Sequence, residues 1–377
     1  MDILIYNWKD KKNPDRGGAE IVLFRFAKAL VDCGHVVTIF SRLFKNALSE
    51  EYIEGVRVVR RGNLLSTYWH GFRYYRSLKK KPDLVIDILN TLFWYTPLYV
   101  KGPILACVNQ LAKEVLFFEL PRVISYVAYA LEKLQFLPYR YKRIPFICYA
   151  QSVKEDLIQI GIPAERISLF SLGLDHTQFY PALHSVQAGK TAQPSFLAIN
   201  RLVKMKRTDL GIRAMVEVVA QFPTATLSII GFGYDKPRLE RIIKKLHLEK
   251  NVQFKVIPFF AKAEEERTRL MQSAWALLFP SVKEGWGMTV TECAACGTPS
   301  IVSNVTGLKD SVKDNETGII VSANPTSQEL AQAMIRLIND TALRARLSEQ
   351  AVAWVSGFSW ERSCKEFSAI VEAVKGR

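Results

Sequence analysis

Residues 275–292 read WALLFPSVKEGWGMTVTE, and this stretch decides the fold because it joins a strand pattern to a helix pattern through a glycine-rich turn. Its first five residues are apolar and are followed by a proline, which predicts a buried strand. No helix breaker follows Gly287 until Gly297, which predicts a helix. We therefore expect Glu284 on a loop at the carboxyl end of the strand, and Glu292 about one turn into the helix.

The turn and the start of this helix are predicted to bind a ligand. In open α/β sheets, ligands bind in the crevice at the carboxyl ends of the strands. The amides of Gly287, Met288 and Thr289 are expected to point from the helix N-terminus toward an anion such as phosphate. Trp286 between Gly285 and Gly287 favours close approach of the backbone to a ligand. The alternative is that the two glutamates of this stretch are ordinary solvated acids.

Length and composition favour two domains. The chain has 377 residues, of which 49% are hydrophobic, so it can bury a large core. Its six cysteines are scattered through apolar stretches, which predicts reduced, buried thiols. Cys293 and Cys296 lack a second pair or a nearby histidine that would complete a zinc site, so we expect them in the core. Residues 84–108 are interrupted by charges and prolines, so no membrane span is predicted.

The net charge of +15 predicts an acidic partner. Basic and aromatic residues are mixed in residues 68–81 and 134–143, which is typical of a membrane interface. The alternative is a solvated helix face with its aromatic residues in the core. No zinc-finger or RNA-recognition signature is present, so no nucleic-acid partner is expected. Because no signal peptide precedes the first predicted strand, we expect a cytoplasmic protein, with an anionic membrane surface at the inner face of the cytoplasmic membrane as a candidate partner.

Strand and helix patterns alternate twice along the chain, which predicts two α/β units with parallel sheets. Helices are predicted at residues 19–31 and 208–221, and from Ser327 to the end with a break near Gly357. Strands are predicted at residues 2–7, 36–40, 56–59, 84–88, 104–108 and 146–149, and in the second half at 196–199 and 226–230 and near residues 252, 275 and 300. The predicted organisation is a first domain of residues 1–180, a linker of 181–194, a second domain of 195–357 and a C-terminal helix of 358–377 that packs on the first domain.

Two further loops follow predicted strands. Gly17 and Gly18 precede the first helix, where backbone amides can approach a phosphate or a sugar. A complete dinucleotide fingerprint needs a third glycine and an acid after the second strand, and both are missing. Gly231 and Gly233 flank a phenylalanine after another strand and indicate a second close backbone approach, although the signal is weak by itself.

A group of cations opens the second domain. Residues 200–207 read NRLVKMKR and place Arg201, Lys204, Lys206 and Arg207 in one loop between a strand and a helix. Cations gathered at the carboxyl edge of a sheet favour a counter-anion, and a diphosphate would supply one. The alternative is that they are solvated charges at the start of a helix.

Taken together, these segments resemble the family-4 glycosyltransferases of the GT-B fold over nearly the whole chain. The resemblance implies two Rossmann-like domains whose parallel sheets face a central cleft. It also implies transfer of a sugar from a nucleoside-diphosphate sugar with retention of configuration. The segments that carry it are residues 17–20 (GGAE), 34–37 (GHVV), 171–175 (SLGLD), Arg201 with Lys206, 231–233 (GFG), 284–292 and 296–299 (CGTP).

The resemblance also implies roles for individual residues. Arg201 and Lys206 would hold the diphosphate and stabilise charge on the leaving group, and Glu284 would hold sugar hydroxyls. Asn109 is the remaining candidate catalytic residue. Glu292 would accept hydrogen bonds from the ribose, and the first two glycines would close over the donor. The implied donor-binding residues are Gly17, Gly18, Gly231, Gly233, Gly285, Trp286, Gly287, Met288, Thr289 and Glu292.

Two positions depart from the family pattern. Many members have a histidine where this chain has Asn109, and an asparagine cannot carry a proton at neutral pH. Residues 254–258 replace a glycine that relatives often have beside the nucleotide base, so the preferred base is not carried over. No Asp-x-Asp pair occurs, and we expect no metal or other cofactor.

The sequence therefore favours a retaining glycosyltransferase of the hexosyltransferase type. We expect a glycan or lipid-linked acceptor, as in the synthesis of cell-surface polysaccharide or glycolipid. One alternative is a protein that binds nucleotide sugars without transferring them. A nucleotide-dependent dehydrogenase is less favoured, because the dinucleotide fingerprint is incomplete.

Overall fold

The structure is a computed structural model and describes residues 1–182, 189–255 and 261–375. The chain divides into two compact units. The first comprises the described residues of Met1–Lys113, Arg122–Gly173 and Trp360–Arg377, and the second those of Glu114–Pro121 and Leu174–Ser359. These boundaries lie at residues 173 and 359, whereas the sequence predicted 180 and 357, and a short segment from the first half of the chain belongs to the second unit. Residues 183–188 of the predicted linker and 256–258 lie outside the described residues.

Strands and helices alternate along the described residues, as the sequence predicted. The strands are β1 (Asp2–Tyr6), β2 (Val36–Ser41), β3 (Glu50–Ile53), β4 (Val56–Arg60), β5 (Leu84–Leu89), β6 (Ile104–Val108), β7 (Phe146–Cys148), β8 (Ile167–Leu169), β9 (Ser195–Ile199), β10 (Thr226–Ile230), β11 (Val252–Lys255), β12 (Ala276–Phe279), β13 (Ser300–Ser303) and β14 (Gly318–Val321). The helices are α1 (Gly18–Asp32), α2 (Ser66–Ser77), α3 (Val115–Glu119), α4 (Arg122–Gln135), α5 (Leu137–Tyr141), α6 (Gln151–Gln159), α7 (Thr208–Gln221), α8 (Lys236–Lys245), α9 (Ala261–Ser273), α10 (Met288–Ala295), α11 (Leu308–Ser311), α12 (Ser327–Asn339), α13 (Thr341–Val355) and α14 (Trp360–Lys375).

The first unit contains one sheet with the strand order β3-β4-β2-β1-β5-β6-β7-β8. All neighbouring pairs are parallel except β3 and β4. Every residue of β5 is buried, which accounts for its nearly continuous apolar sequence, LVIDIL. Helix α1 turns Val22, Phe26 and Leu30 inward at four-residue spacing, so its apolar face forms part of the core.

The C-terminal helix α14 belongs to the first unit and packs on α1. The rings of Phe26 and Phe367 stack with their centroids 4.6 Å apart, and Phe170 lies 5.7 Å from Phe367. The Ser171 backbone amide donates to Glu366 Oε2 at 2.7 Å. Aromatic stacking and a hydrogen bond thus fix the last helix to the first unit.

The second unit has a parallel sheet with the order β11-β10-β9-β12-β13-β14. Strand β9 alternates between two cores, because Phe196 and Ala198 belong to one hydrophobic cluster and Leu197 and Ile199 to another. The sheet is therefore covered on both faces. Along the chain, β10 and β11 extend to one side of β9, and β12, β13 and β14 extend to the other. The order in which strands are added to the sheet thus reverses between β9 and β12. Open α/β sheets bind ligands at such a reversal point.

Candidate active site

Two loops of the second unit meet at this reversal point. Strands β9 and β12 are parallel neighbours, so the loops that follow them leave the same edge of the sheet. The first loop carries the cations of residues 200–207, and the second begins the glycine-rich turn after β12. The Val282 amide donates to the Met205 carbonyl oxygen at 2.9 Å and ties the two loops together.

Lys206 and Glu284 form an ion pair across these loops. Lys206 Nζ donates to Glu284 Oε1, and the two side chains are 9% and 13% exposed. Lys206 Nζ also lies 5.4 Å from the centroid of the Phe279 ring. The fold therefore brings the lysine that is predicted to bind phosphate into direct contact with the glutamate that is predicted to bind the sugar, although 78 positions separate them.

The four cations of the first loop do not act as one group. Arg207 donates to Asn324 Oδ1 at 2.7 Å and to the Pro325 carbonyl oxygen at 3.0 Å, so the protein itself satisfies its guanidinium. Arg201 and Lys204 are exposed, and no side-chain hydrogen bond or ion pair of either is found within residues 1–182, 189–255 and 261–375. Arg201 is thus available to an anion at the same sheet edge as the Lys206–Glu284 pair.

Backbone geometry sets the shape of the turn before α10. Gly287 has a φ of +97°, in the left-handed region, and a Cβ there would lie 2.9 Å from Leu308 Cδ2. Among the described residues, no acceptor is found for the amides of Gly287, Met288 and Thr289 at the start of α10. These amides are therefore left without a partner from the described residues at the start of the helix, and their binding of an anion stays a prediction.

Two other residues of this turn region have structural roles. The Trp286 ring packs against the Phe358 ring with centroids 6.0 Å apart. Sequence reasoning missed Gly307, which has a φ of +83° and whose Cβ would lie 2.3 Å from the Glu284 carbonyl oxygen. A glycine at this position is needed because a neighbouring backbone segment passes against the turn.

Glu292 lies in α10 but is already partnered. Its carboxylate accepts a hydrogen bond from Arg267, and the residue is 8% exposed. Burial raises the pKa of Glu292 above its ordinary value, and Arg267 acts in the opposite direction. The glutamate that is predicted to bind the ribose is therefore held by an arginine that the sequence analysis did not single out. Arg267 lies 25 positions before Glu292, so no local motif marks the pair.

Gly231 and Gly233 approach the chain's own backbone, and their contact with a donor stays a prediction. A Cβ on Gly231 would lie 1.9 Å from the Asn200 carbonyl oxygen, and one on Gly233 would lie 2.2 Å from the Leu202 carbonyl oxygen. The Leu202 amide donates to the Phe232 carbonyl oxygen at 2.8 Å. These glycines therefore let the loop after β10 pack on the cation-bearing loop after β9.

The glycine pair of the first unit begins α1. Gly17 is the N-cap of the helix, and its amide donates to Glu20 Oε2 at 2.6 Å, while Gly18 is the first helical residue. A Cβ on Gly17 would meet that oxygen at an ordinary contact distance of 3.6 Å. The Gly17 amide is thus used in capping the helix, which the ligand-binding interpretation of the sequence did not anticipate.

Asn109 directly follows β6 and is oriented by a tyrosine. The Tyr149 hydroxyl, on the loop after the neighbouring strand β7, donates to Asn109 Oδ1. Burial raises the pKa of Tyr149 well above its ordinary value, so this hydroxyl stays protonated and remains a donor. Because its oxygen is engaged, the Asn109 amide presents its NH2 group as a donor.

The second unit also includes a segment that sequence reasoning missed. Glu119, at the end of α3, accepts a hydrogen bond from the Met205 amide at 2.8 Å and another from the Tyr234 hydroxyl. Glu114 pairs with the buried Lys283 at 3.1 Å. Residues 114–121 therefore brace both loops of the candidate site, and their distance along the chain hid this role.

Neither a metal centre nor a membrane span is found in the described part of the chain. No group of three or more His, Cys, Asp or Glu residues there could hold a metal ion. Cys293 and Cys296 are buried free thiols, and burial raises the pKa of Cys296 to about 12, as expected of core residues. No helix within the described ranges is both long and apolar enough to cross a bilayer.

Comparison with known proteins identifies the family to which both halves of the chain are similar. Residues 16–178 match the family described as Glycosyltransferase Family 4, and residues 181–354 match Glycosyl transferases group 1. The chain is 27% identical over 214 residues to a D-inositol 3-phosphate glycosyltransferase of Rhodococcus jostii, which covers 54% of this chain and 46% of that protein. The chain thus spans about half the length of the curated relatives it matches.

Solved structures share the whole fold. Sucrose-phosphate synthase of Thermosynechococcus elongatus superposes with a TM-score of 0.81 at 21% identity, covering 100% of this chain and 99% of that chain. Anabaena Alr3699/HepE, solved in complex with UDP-glucose, gives a TM-score of 0.75 at 20% identity over 99% of this chain and 100% of that chain. The expectation of two Rossmann-like units of the GT-B type is confirmed. With both halves matched, the chain belongs to the family-4 glycosyltransferases.

Proposed function

We propose that this chain is a glycosyltransferase that uses a nucleoside-diphosphate sugar as donor and transfers the sugar, a hexose, with retention of anomeric configuration. The acceptor is a glycan or a lipid-linked saccharide, and the product belongs to cell-surface polysaccharide or glycolipid. The observation that carries the proposal is the Lys206–Glu284 ion pair beside the exposed Arg201, at the reversal point of the second sheet.

The chemistry follows from the charges at this point. Cleavage of the donor leaves negative charge on the diphosphate, and fixed cations stabilise that charge without reorganisation. Arg201 supplies a forked donor for phosphate oxygens, and Lys206 supplies a compact point charge. Glu284, held beside Lys206, is an acceptor for sugar hydroxyls. Leaving group and sugar would then lie within reach of one ion pair.

The amides that start α10 extend this site. Gly287, Met288 and Thr289 would donate to the donor's diphosphate or sugar, and Gly285 and Trp286 would line the same turn. Glu292, held by Arg267, would accept from the ribose through its carboxylate. In this proposal Gly231 and Gly233 contribute by shaping the cation-bearing loop.

On the first unit, Asn109 would serve as a hydrogen-bond donor. Tyr149 occupies its oxygen, so the amide NH2 is left for a sugar or acceptor oxygen. An asparagine does not exchange protons at neutral pH, so the proposed reaction proceeds without a protein base at this position. Gly17 and Gly18 would contribute to donor binding as the start of α1.

The first donor to test is UDP-glucose, since a structural neighbour binds it. We expect UDP, GDP or ADP to stabilise the protein selectively, because a ligand at 100 times its dissociation constant adds about 2.7 kcal/mol. Incubation with the matching nucleotide sugar should release free sugar slowly. The anomer released first, observed by NMR, should match the donor anomer.

Two results would contradict the proposal. Inversion of the released anomer would remove the retaining mechanism, and stabilisation by NADH alone would remove the nucleotide-sugar donor. We also propose that no resident metal takes part, since Arg201 and Lys206 supply cationic donors for the diphosphate oxygens. Donor turnover should then persist in excess EDTA, and its loss with recovery in Mg²⁺ would show that a metal is required.

An acidic surface is the remaining proposed partner. The overall charge of +15 suits an anionic membrane, on which a lipid-linked acceptor would be presented at the inner face of the cytoplasmic membrane. This part of the proposal makes the enzyme a peripheral protein, and it is tested below separately from donor binding.

A further inference from the structure

Helix α4 has its apolar residues outside and its polar residues inside. Val123, Val127, Leu131 and Leu134 are each more than half exposed. Their spacing of four, four and three residues puts them on one face of the helix, and Ile124 borders that face and is also more than half exposed. The helix has 14 residues and is about 21 Å long. It therefore presents a continuous apolar stripe outward, the reverse of an ordinary surface helix.

Hydrogen bonds on the opposite face hold α4 in this orientation. Buried Glu132 accepts from the Ala112 amide and from the Lys113 amide, the latter at 2.8 Å. Buried Gln135 accepts from the Phe93 amide at 3.0 Å and donates to the Thr91 carbonyl oxygen at 3.1 Å. Rotating α4 to bury its apolar stripe would break these bonds and leave a carboxylate and four backbone groups to find new partners. The outward stripe is thus fixed by the fold.

Charge indicates what this stripe contacts. Residues 122–143 contain one acid, Glu132, which is buried on the inner face. The same residues carry five exposed cations, which are Arg122, Lys133, Arg140, Lys142 and Arg143. An exposed apolar stripe beside exposed cations, without an exposed acid, matches an anionic bilayer surface. A second copy of this chain is a poorer match, because two such faces would repel each other.

The other basic and aromatic segment offers less apolar surface. Within α2, Tyr75 is buried, and Tyr68 lies 4.7 Å from the ring of Trp94. Phe72 packs on Tyr99 with ring centroids 5.2 Å apart. Although Trp69 is 60% exposed, most aromatic residues of this segment are buried or half-buried against the first unit.

We propose that α4 is the membrane-docking element of this protein, lying in the interface of an anionic bilayer with the Val123–Leu134 stripe in the acyl region. Arg122 and Lys133 would contact lipid phosphates. The inference rests on the proposed function in one respect, because a transferase with a lipid-linked acceptor needs a defined position on a bilayer. Docking itself is independent of the donor.

Vesicle co-sedimentation at low salt tests this proposal. The full chain should bind vesicles of equal parts phosphatidylglycerol and phosphatidylcholine, and bind pure phosphatidylcholine vesicles more weakly. The double variant Val127→Glu/Leu131→Glu should bind the mixed vesicles roughly tenfold or more weakly, because two acids replace apolar contacts beside anionic lipid. Val216→Glu is the matched control, since Val216 is an exposed apolar residue on helix α7 of the other unit, and it should bind like the parent.

Circular dichroism and stabilisation by the nucleoside diphosphate are measured on the same samples. Retained nucleotide response with lost vesicle binding in the double variant is the expected result. The inference is overturned if the parent ignores anionic vesicles, or if the double variant binds them as well as the parent. It is also overturned if the parent forms a dimer that the two substitutions dissociate, and if lipid has no effect on that dimer. Loss of nucleotide response in the parent would instead count against the proposed donor.

Discussion

Replacing Lys206 with methionine tests the candidate site most directly. The change removes the ammonium group but keeps a long apolar stem near the Phe279 ring, which lies 5.4 Å from Nζ. Lys204→Met is the matched control, because Lys204 lies in the same short turn and is exposed. The pair separates the buried cation from the general positive charge of the loop.

The expected magnitude follows from the contacts of Lys206. A charge-assisted hydrogen bond contributes about 1.5–3 kcal/mol, which corresponds to roughly 10- to 150-fold weaker binding of the diphosphate. The variant also leaves Glu284, whose side chain is 13% exposed, without its cation. Because water can still reach this carboxylate, we expect an added loss of stability of about 1–3 kcal/mol.

Isothermal titration with a nucleoside diphosphate and with the corresponding nucleoside distinguishes these effects. Lys206→Met should weaken diphosphate binding and leave nucleoside binding unchanged, whereas Lys204→Met should change neither by more than about threefold. Adding Glu284→Gln to the variant should restore stability, because the unpaired charge is gone, but not diphosphate binding. A folded Lys206→Met protein that binds the diphosphate like the parent would refute the assignment.

Three further outcomes are expected. Gly231→Ala should lower the free energy of unfolding by about 3 kcal/mol or more, because its Cβ would lie 1.9 Å from a carbonyl oxygen. Gly357→Ala, with nothing within 4 Å, is the control in urea unfolding, and equal losses would contradict the reasoning. Burial raises the pKa of Asp87 from 3.8 to about 6, so the native state holds a proton that the unfolded state releases between these values. Stability should therefore fall by up to about 3 kcal/mol as pH rises through this window. Asp87→Asn should flatten that part of the profile of unfolding free energy against pH, and an unaltered slope would show that another group is responsible. Tyr149→Phe should lower kcat/KM for the donor about three- to tenfold by freeing the Asn109 amide, and an unchanged value would show that this hydrogen bond does not orient it.

Much of the fold was predictable from the sequence because its signals are local. Most strands of the two sheets are apolar runs of a few residues, and most of them are followed by a turn and a helix with its own periodicity. The missed strands β3, β8 and β14 are short, and β3 reads EEYI, with two acids. Such segments become strands only through pairing with a neighbour.

The candidate loops were also predictable, since ligand sites of parallel sheets lie after the strands. What the sequence left open was the partner of each side chain. Arg207 was grouped with Lys206, yet the fold pairs it with Asn324. Gly231 was predicted to mark a close backbone approach, and only the fold shows that a carbonyl oxygen of an adjacent loop lies beside it.

The sequence by itself determined two α/β units, the loops that carry the cations and acids, and the family. Only the tertiary structure decided that Lys206 meets Glu284, that Tyr149 orients Asn109, and that α4 turns its apolar stripe outward. The reason is physical. Periodicity and turn chemistry act over a few residues, whereas the Tyr149–Asn109 and Lys206–Glu284 contacts join positions that are 40 and 78 apart. The orientation of α4 likewise depends on hydrogen bonds from backbone amides to Glu132 over 19 and 20 positions.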